Sequence, residues 1–157
     1  GALGFNLLGW SRAAKNIDGV QCSHGAERLA AMLAQASITV LLLTLTEQTD
    51  GLMDRAAFDA MPAGSYLINC SRGEIVVEGD LIAALDSGRL GAATLDAFVT
   101  EPLPGDSPLW QHPKVRVTPH IAALSAPDTA ALVLAEQVRR ARNGQRLAEQ
   151  VDIDNGY

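Results

Sequence analysis

The sequence predicts an α/β fold built on a doubly wound, mostly parallel sheet. Short apolar runs alternate along the chain with longer segments of helical period, which is the pattern of helices that connect parallel strands. The apolar runs lack strict alternation of polar and apolar residues, as expected for strands that are buried on both faces. With 157 residues, of which 48% are hydrophobic, the chain is long enough for one such domain.

Five strands and four helices are predicted in chain order. The strands are FNLLGW (5–10), ITVLLL (38–43), SYLINC (65–70), GAATLD (91–96) and KVRVTP (114–119). The helices span residues 26–35, 54–60, 78–87 and 127–143. Glu78 and Asp80 suit the first turn of the third helix because they complement its dipole, and Gly88 suits its end. Pro127 suits the first turn of the last helix.

The longest irregular stretch is FVTEPLPGDSPLWQHP (98–113), and a loop of this length is usually functional. At the other end of the chain, GALGF leads almost directly into the first strand, whereas a doubly wound nucleotide-binding domain begins with a strand, a glycine-rich turn and a helix. We therefore expect a first strand and helix upstream of Gly1. On this interpretation residues 1–125 are the C-terminal part of a nucleotide-binding domain, and residues 126–157 are a helix and tail that return to a substrate domain.

Composition argues against several classes of function. Lysine and arginine total 12 against 18 acidic residues, so the net charge is −6 and no basic stripe is available for nucleic acid. The apolar run ITVLLLTL is shorter than the roughly 20 residues that cross a bilayer, and no secretion signal is evident, so we expect a cytoplasmic protein without membrane contact. Cys22 and Cys70 are expected to be plain thiols. The histidines His24, His112 and His120 lack metal-site spacing, and no metal is predicted.

The turn WSRAAK after the first strand is a candidate cofactor-binding element. In doubly wound folds the strand that follows the glycine-rich helix ends at the adenosine ribose, where an acidic residue would bind the 2′-hydroxyl of NAD. This chain has Ser11, Arg12 and Lys15 there, which suit the 2′-phosphate of NADP by charge and hydrogen bonding. An ordinary basic surface loop is an equal alternative for this feature alone.

Arg72, Asp96 and His120 each follow a separate predicted strand. Adjacent parallel strands would bring their carboxyl ends to one sheet edge, where ligands bind in open α/β folds. Arg72 can hold a carboxylate in a two-pronged fork, and a carboxylate beside His120 would fix the tautomer of an imidazole that donates a proton to a carbonyl oxygen. A second acid, Glu101, begins the proline-rich loop. Each residue alone has a structural alternative, such as a surface ion pair, a turn cap or a core histidine, but their convergence favours proton transfer.

Two long runs resemble the D-isomer-specific 2-hydroxyacid dehydrogenases, namely INCSRGEIVVEGDLIAALDSGRLGAATLD and LDAFVTEPLPGDSPLWQHPKVRVTPHIAA. GWSR, PHIAA and the ending VDIDNGY make the chain most similar to the glyoxylate/hydroxypyruvate reductase A branch of that family. The resemblance spans essentially all 157 residues. It implies a Rossmann-like domain in a homodimer that reduces small 2-keto acids such as glyoxylate and hydroxypyruvate, with NADPH preferred and NADH possible as the cofactor.

The resemblance also implies roles for individual residues. Arg72 matches the arginine that binds the substrate carboxylate and keto oxygen, Glu101 the acid that pairs with the catalytic histidine, and His120 the general acid/base that contacts the substrate. The implied cofactor contacts are Leu43, Thr44, Leu45 and Thr49 of LLTLTEQT, Cys70 and Ser71 before the arginine, Asp96 near the nicotinamide carboxamide, Ala122, and Ser11, Arg12 and Lys15 at the ribose.

The chain departs from the family pattern at a few positions. Thr44 stands where many relatives have proline, Ala122 and Ala123 replace two glycines, and Asn155 replaces an arginine. The glycine-rich turn and the substrate domain are not in this chain, so we expect the segment alone to bind cofactor weakly and to be inactive. Two other functions remain open: a nucleotide-sensing or corepressor protein on the same fold, and a truncated piece that serves only in dimerisation.

Overall fold

The computed structural model describes residues 1–123, 125–148 and 150–151. In this part of the chain the strands are β1 (Leu7–Ser11), β2 (Val20–His24), β3 (Ile38–Leu41), β4 (Ser65–Asn69), β5 (Leu90–Leu95) and β6 (Val115–Val117). The helices are α1 (Ala26–Leu33), α2 (Arg55–Ala60), α3 (Glu78–Asp86) and α4 (Pro127–Arg142). Along the sequence, the chain divides into two compact units after Pro119, a few residues before the predicted domain boundary at 125.

The strands form two sheets, and every strand pair in both is parallel, which confirms the predicted α/β class. β1 pairs with β2, while the second sheet has the order β3-β4-β5-β6. In the part of the chain that the structure describes, no strand pairing joins these two sheets.

The hydrophobic core lies between helices α1–α3 and one face of the four-stranded sheet. It includes Leu33, Phe58, Leu81 and Leu85 from the helices and Leu41, Leu67 and Leu95 from the strands. On the opposite face Val40 and Tyr66 are about half exposed, at 48% and 50%. Burial on both faces, expected from the unbroken apolar runs, is thus not reached by the described residues. The reason is that the apolar pattern of a strand indicates burial of both its faces but does not show which segment covers each face.

Several predicted boundaries shift, and one strand was missed. β2, with the sequence VQCSH, was not predicted because Gln21 and Ser23 interrupt its apolar residues, yet it pairs with β1 along its whole length. The sixth strand covers only Val115–Val117, since Pro119 has no amide hydrogen with which to extend a ladder. α2 begins at Arg55 rather than 54, because the Asp54 carboxylate accepts a hydrogen bond from the helix as its N-cap.

Two further local predictions concern the irregular stretch 98–113 and the end of α3. The irregular stretch 98–113 contains a short 3₁₀ helix at Pro108–Trp110. Gly88 follows α3 with a φ of 78°, the left-handed conformation expected of a glycine that ends a helix.

The second unit, which starts at His120, contains helix α4. None of the residues of this helix is buried, and its exposed apolar side chains include Leu132 and Leu134. Hydrogen bonds from Arg139 and then Arg140 lower the pKa of Glu136 from 4.5 to about 2. Of the tail VDIDNGY, which resembles the reductase A branch, residues 152–157, including Asn155, lie outside the described residues. Among the described helices, none combines the length and apolar character needed to cross a membrane.

Candidate functional site

The turn after β4 is held by the side chain of Asn69, the last residue of the strand. The Asn69 carboxamide oxygen accepts hydrogen bonds from the Ser71 amide at 3.0 Å and from the Ser71 hydroxyl at 2.8 Å. The Asn69 amide group donates to the Arg72 carbonyl at 2.9 Å. Arg72 in turn donates from its guanidinium to the Ser71 carbonyl at 2.8 Å. Arg72, the predicted substrate-binding residue, therefore lies on a turn with several internal hydrogen bonds.

The residue after Arg72 packs directly against the proline-rich loop. A Cβ atom on Gly73 would lie 2.1 Å from the Phe98 carbonyl carbon and 2.2 Å from the Val99 nitrogen. On the same loop, the Phe98 amide donates to the Glu101 carboxylate at 3.0 Å. The structure thus brings the Arg72 turn and the segment that holds Glu101 into backbone contact. Only a residue without a side chain permits this approach.

Asp96 follows β5 directly and is 3% exposed. Its amide donates to the Asn69 carbonyl at 2.9 Å, which places it beside the Arg72 turn. Its carboxylate accepts a hydrogen bond from the Thr118 hydroxyl, and the Thr118 amide donates to the Leu95 carbonyl at 3.0 Å. The sheet edge expected from the sequence is therefore present, with Arg72 and Asp96 after adjacent parallel strands.

His120 is the first residue of the second unit, three residues beyond the end of β6. Its side chain is exposed, and its φ is 52°. Among the described residues it is the one non-glycine position with a positive φ, a conformation that is uncommon and often found at functional sites. The pairing of His120 with Glu101 remains a prediction. Ala122 lies in an exposed turn of the same unit.

The predicted ribose-binding turn follows β1, a strand that ends at Ser11. The Ser11 hydroxyl donates to the Ala13 carbonyl at 2.8 Å and retains acceptor capacity. Arg12 and Lys15 are both exposed. Two cationic side chains and a hydroxyl at the carboxyl end of a parallel strand fit a phosphate group by charge and by donor chemistry.

The loop predicted to lie beneath the adenosine is closed by Thr49. Its hydroxyl donates to the Thr44 carbonyl at 2.7 Å and accepts from the Thr46 amide at 2.8 Å. Leu43 and Leu45 are partly buried and pack against the hydrophobic core. The Thr49 side chain therefore stabilises the loop itself, and the two leucines anchor it to the core. The cofactor contacts of these residues stay predictions.

Cys70 and Ser71, predicted to lie beside the cofactor, differ in exposure. Cys70 is half-buried, and its amide donates to the Leu41 carbonyl at 3.2 Å. Ser71 is 5% exposed, with its hydroxyl turned to Asn69. The cofactor contacts of Cys70 and Ser71 stay predictions.

Three residues at this edge were missed by sequence reasoning: Asn69, Gly73 and Thr118. A polar residue at the end of an apolar strand was the available signal for Asn69, and the glycine after Arg72 was the signal for the close backbone approach. Nothing in the sequence pairs Thr118 with Asp96, which lies 22 residues away. In the part of the chain that the structure describes, no group of three metal-ligating side chains is assembled.

The chain is similar to known proteins both as a family and individually. The family model described as D-isomer specific 2-hydroxyacid dehydrogenase, NAD binding domain, matches residues 1–122. A glyoxylate/hydroxypyruvate reductase A of Serratia proteamaculans (strain 568) is 47% identical over 156 residues, which make up 99% of this chain and 50% of that protein. The chain therefore spans about half the length of this curated relative.

Solved structures of the same family also match the chain. A D-isomer specific 2-hydroxyacid dehydrogenase from Xanthobacter autotrophicus Py2, in complex with NADPH and MES, matches with a TM-score of 0.96 and 47% identity, over 98% of this chain and 64% of that one. An NADPH-dependent glyoxylate/hydroxypyruvate reductase from Sinorhizobium meliloti, in complex with NADP and sulfate, matches with a TM-score of 0.93 and 38% identity, over 99% of this chain and 51% of that one. These matches confirm the resemblance seen in the motifs, and the chain belongs to the D-isomer specific 2-hydroxyacid dehydrogenase family.

Proposed function

We propose that the full-length polypeptide carrying this chain reduces small 2-keto acids, with glyoxylate and hydroxypyruvate as substrates, to 2-hydroxy acids. NADPH is the preferred cofactor and NADH a possible second one. The observation that carries the proposal is the backbone contact between the Arg72 turn and the segment that holds Glu101. It brings the backbone of the turn that carries Arg72 against the loop that carries Glu101, at the carboxyl edge of a parallel sheet, where open α/β folds bind ligands. Relatives named as reductases of these substrates add support.

In this proposal the residues divide the reaction between them. Arg72 binds the substrate carboxylate and the keto oxygen through its planar guanidinium, which orients and polarises the ketone. Bound NADPH supplies the hydride that reaches the carbonyl carbon. His120 donates the proton to the carbonyl oxygen, so that the ketone becomes a hydroxyl group. Glu101 orients the imidazole for that transfer.

Cofactor selection is assigned to the turn after β1. Arg12 and Lys15 are exposed cations, and in a chain of net charge −6 they provide local positive charge for the 2′-phosphate of NADPH. The Ser11 hydroxyl adds a hydrogen-bonding group to the same end of the strand. This turn has no acidic side chain for the 2′-hydroxyl of NADH, and we therefore expect NADH to be used less well.

The test is the oxidation of NADPH, followed by absorbance, with glyoxylate or hydroxypyruvate as the second substrate. His120→Ala in the full-length protein is expected to lower kcat by about 10² to 10⁴, the usual contribution of a general acid. His112→Ala is the matched control, because His112 contacts Asp86 and the Lys114 amide before β6 begins. It is expected to change kcat by less than about twofold. A loss below tenfold for His120→Ala would reject its role, and a protein that binds NADPH without turnover would be a nucleotide sensor.

The proposal also includes a homodimer in the cytoplasm, as the family resemblance implies. Light scattering on the purified full-length protein is expected to give twice the mass of one chain. The 157-residue chain by itself is expected not to turn over substrate, since it lacks a glycine-rich turn for the pyrophosphate.

A further inference from the structure

We infer that Asn69 is the positioning residue for Arg72: its buried carboxamide sets the orientation of the guanidinium without touching the substrate. The inference rests on the proposed function, in which Arg72 binds the keto acid. It concerns a residue at the end of β4 whose side chain is 1% exposed and which bonds to both residues that follow Cys70.

The Asn69 side chain makes hydrogen bonds to three different groups of the turn. Its oxygen accepts from both the amide and the hydroxyl of Ser71, and its nitrogen donates to the Arg72 carbonyl. Asparagine is suited to this position because its side chain carries an acceptor and donors at once. Among the side chains of similar size, aspartate lacks the donor and leucine lacks both.

These bonds bear on the guanidinium itself. Arg72 donates from Nη1 to the Ser71 carbonyl at 2.8 Å, so the guanidinium lies against the same peptide segment that Asn69 holds. A shift of the Ser71–Arg72 peptide therefore moves both the origin of the arginine side chain and the acceptor on which its head group lies. Misplacement by about 1 Å can cost 10²-fold in rate where a substrate must be aligned.

The Asn69 backbone also connects the turn to the neighbouring strand. Its carbonyl accepts from the Asp96 amide at 2.9 Å, which joins the turn to the next strand end. A cavity of about 20 Å³, lined by Asn69, Gly73 and Phe98 among others, borders the turn. Removal of the Asn69 carboxamide would enlarge this space, and the turn would lose the three hydrogen bonds that the carboxamide makes and gain room to move.

Two other buried polar side chains distinguish positioning from a general effect on folding. Ser65 lies on the same strand as Asn69, and its hydroxyl has no hydrogen-bond partner, as is also true of Thr39 on β3. Both are buried, and neither hydroxyl is hydrogen-bonded to the Arg72 turn. Ser65→Ala is therefore a matched control for a change in a buried polar residue of β4.

The test is a double-mutant cycle in the full-length protein with glyoxylate and NADPH. Asn69→Ala is expected to lower kcat/KM for glyoxylate about tenfold or more, while KM for NADPH changes by less than about twofold. Ser65→Ala is expected to change both by less than about twofold. In an Arg72→Ala background the further change Asn69→Ala is expected to cost less than about twofold, because the group it positions is gone. A full tenfold loss in that background would overturn the inference.

A second measurement separates this inference from the proposed function. Hydrogen exchange of the Ser71 amide in the full-length protein is expected to be about tenfold faster or more in Asn69→Ala, and unchanged in Ser65→Ala. If the unmodified protein has no reductase activity, the proposed function fails, and unchanged Ser71 exchange would then reject the role of Asn69 as well. Should Asn69→Ala not fold, Asn69→Asp takes its place in the cycle, since it keeps the volume and the acceptor oxygen and replaces the donor to the Arg72 carbonyl with a carboxylate oxygen. Equal losses for Asn69→Asp with and without Arg72 would also overturn the inference.

Discussion

The turn after β4 and the turn after β1 both follow the carboxyl end of a parallel strand and both present an arginine, but they are built differently. At β4, Asn69 and Ser71 are almost fully buried, their side chains bond to each other, and the Asn69 side chain also donates to the Arg72 carbonyl. At β1, Arg12 is exposed, and the Ser11 hydroxyl bonds only locally, to the Ala13 carbonyl. One turn is ordered by buried hydrogen bonds, while the other offers charge in a solvent-exposed loop.

This difference matches the two tasks that we propose. Hydride and proton transfer require a ketone at a defined position, so the residue that orients it must itself be held in place. Selection between NADPH and NADH requires favourable charge at a phosphate, and exposed flexible cations can provide that without a fixed geometry. We therefore expect the geometry of the Arg72 side chain to matter at β4, and only the charge of Arg12 to matter at β1.

The largest expected effect separates arginine geometry from charge. Arg72→Lys is expected to lower kcat/KM for glyoxylate about 100-fold, because lysine keeps the charge but loses the planar fork. Arg12→Lys is expected to raise KM for NADPH less than about threefold, because the exposed position needs only the charge. Steady-state kinetics of the two variants give the comparison directly. Equal losses in both would remove the distinction between the two turns.

A second prediction concerns the contact between the Arg72 turn and the proline-rich loop. Gly73→Ala is expected to destabilise the protein by about 1 to 3 kcal/mol, because the new methyl group would overlap the Phe98 backbone. Gly79→Ala in α3 is the control: no atom lies within 4 Å of its added Cβ, and helix propensity predicts a gain of about 0.5 to 1 kcal/mol. Urea unfolding measures both, and a Gly73→Ala variant as stable as the parent would contradict the observed approach.

The third prediction tests cofactor selection at β1. Arg12→Ala is expected to raise KM for NADPH about tenfold and KM for NADH less than about twofold, since only NADPH carries the 2′-phosphate. Arg28→Ala, at an exposed position on α1, removes the same charge from the net total and is expected to leave both values unchanged. Parallel increases for the two cofactors in Arg12→Ala would argue against a phosphate contact.

The smallest expected effect lies in the second unit, at Glu136 of α4. Its folded-state pKa of about 2 is below the ordinary value of 4.5, owing to hydrogen bonds from Arg139 and Arg140. The stabilising contribution of this carboxylate is therefore fully present above pH 4.5 and is lost as pH falls toward 2. Carboxyl titration by carbon NMR is expected to give the low pKa, and Arg139→Ala combined with Arg140→Ala should return it toward 4.5. A pKa near 4.5 in the unmodified protein would show that these hydrogen bonds do not persist in solution.

Sequence reasoning reached the α/β class, the mostly parallel sheet and the placement of Arg72 and Asp96 at the carboxyl ends of strands. These follow from local features, since apolar runs mark strands and the carboxyl ends of adjacent parallel strands meet at one edge. The missed strand β2 is instructive, because its polar residues Gln21 and Ser23 conceal it and only pairing with β1 reveals it. The break between the two sheets was equally out of reach, since it depends on which strands pair and not on any one strand's composition.

By itself, the sequence determined the family, the type of sheet and the identity of the candidate catalytic residues, because these depend on motifs and on the spacing of residues along the chain. Only the tertiary structure decided that Asn69 holds the Arg72 turn, that Gly73 lies against Phe98 and that Thr118 bonds to Asp96. The physical reason is that hydrogen bonds and close backbone contacts require distances of about 3 to 4 Å between chain segments. Such distances arise only when the strands have paired and the loops between them have packed.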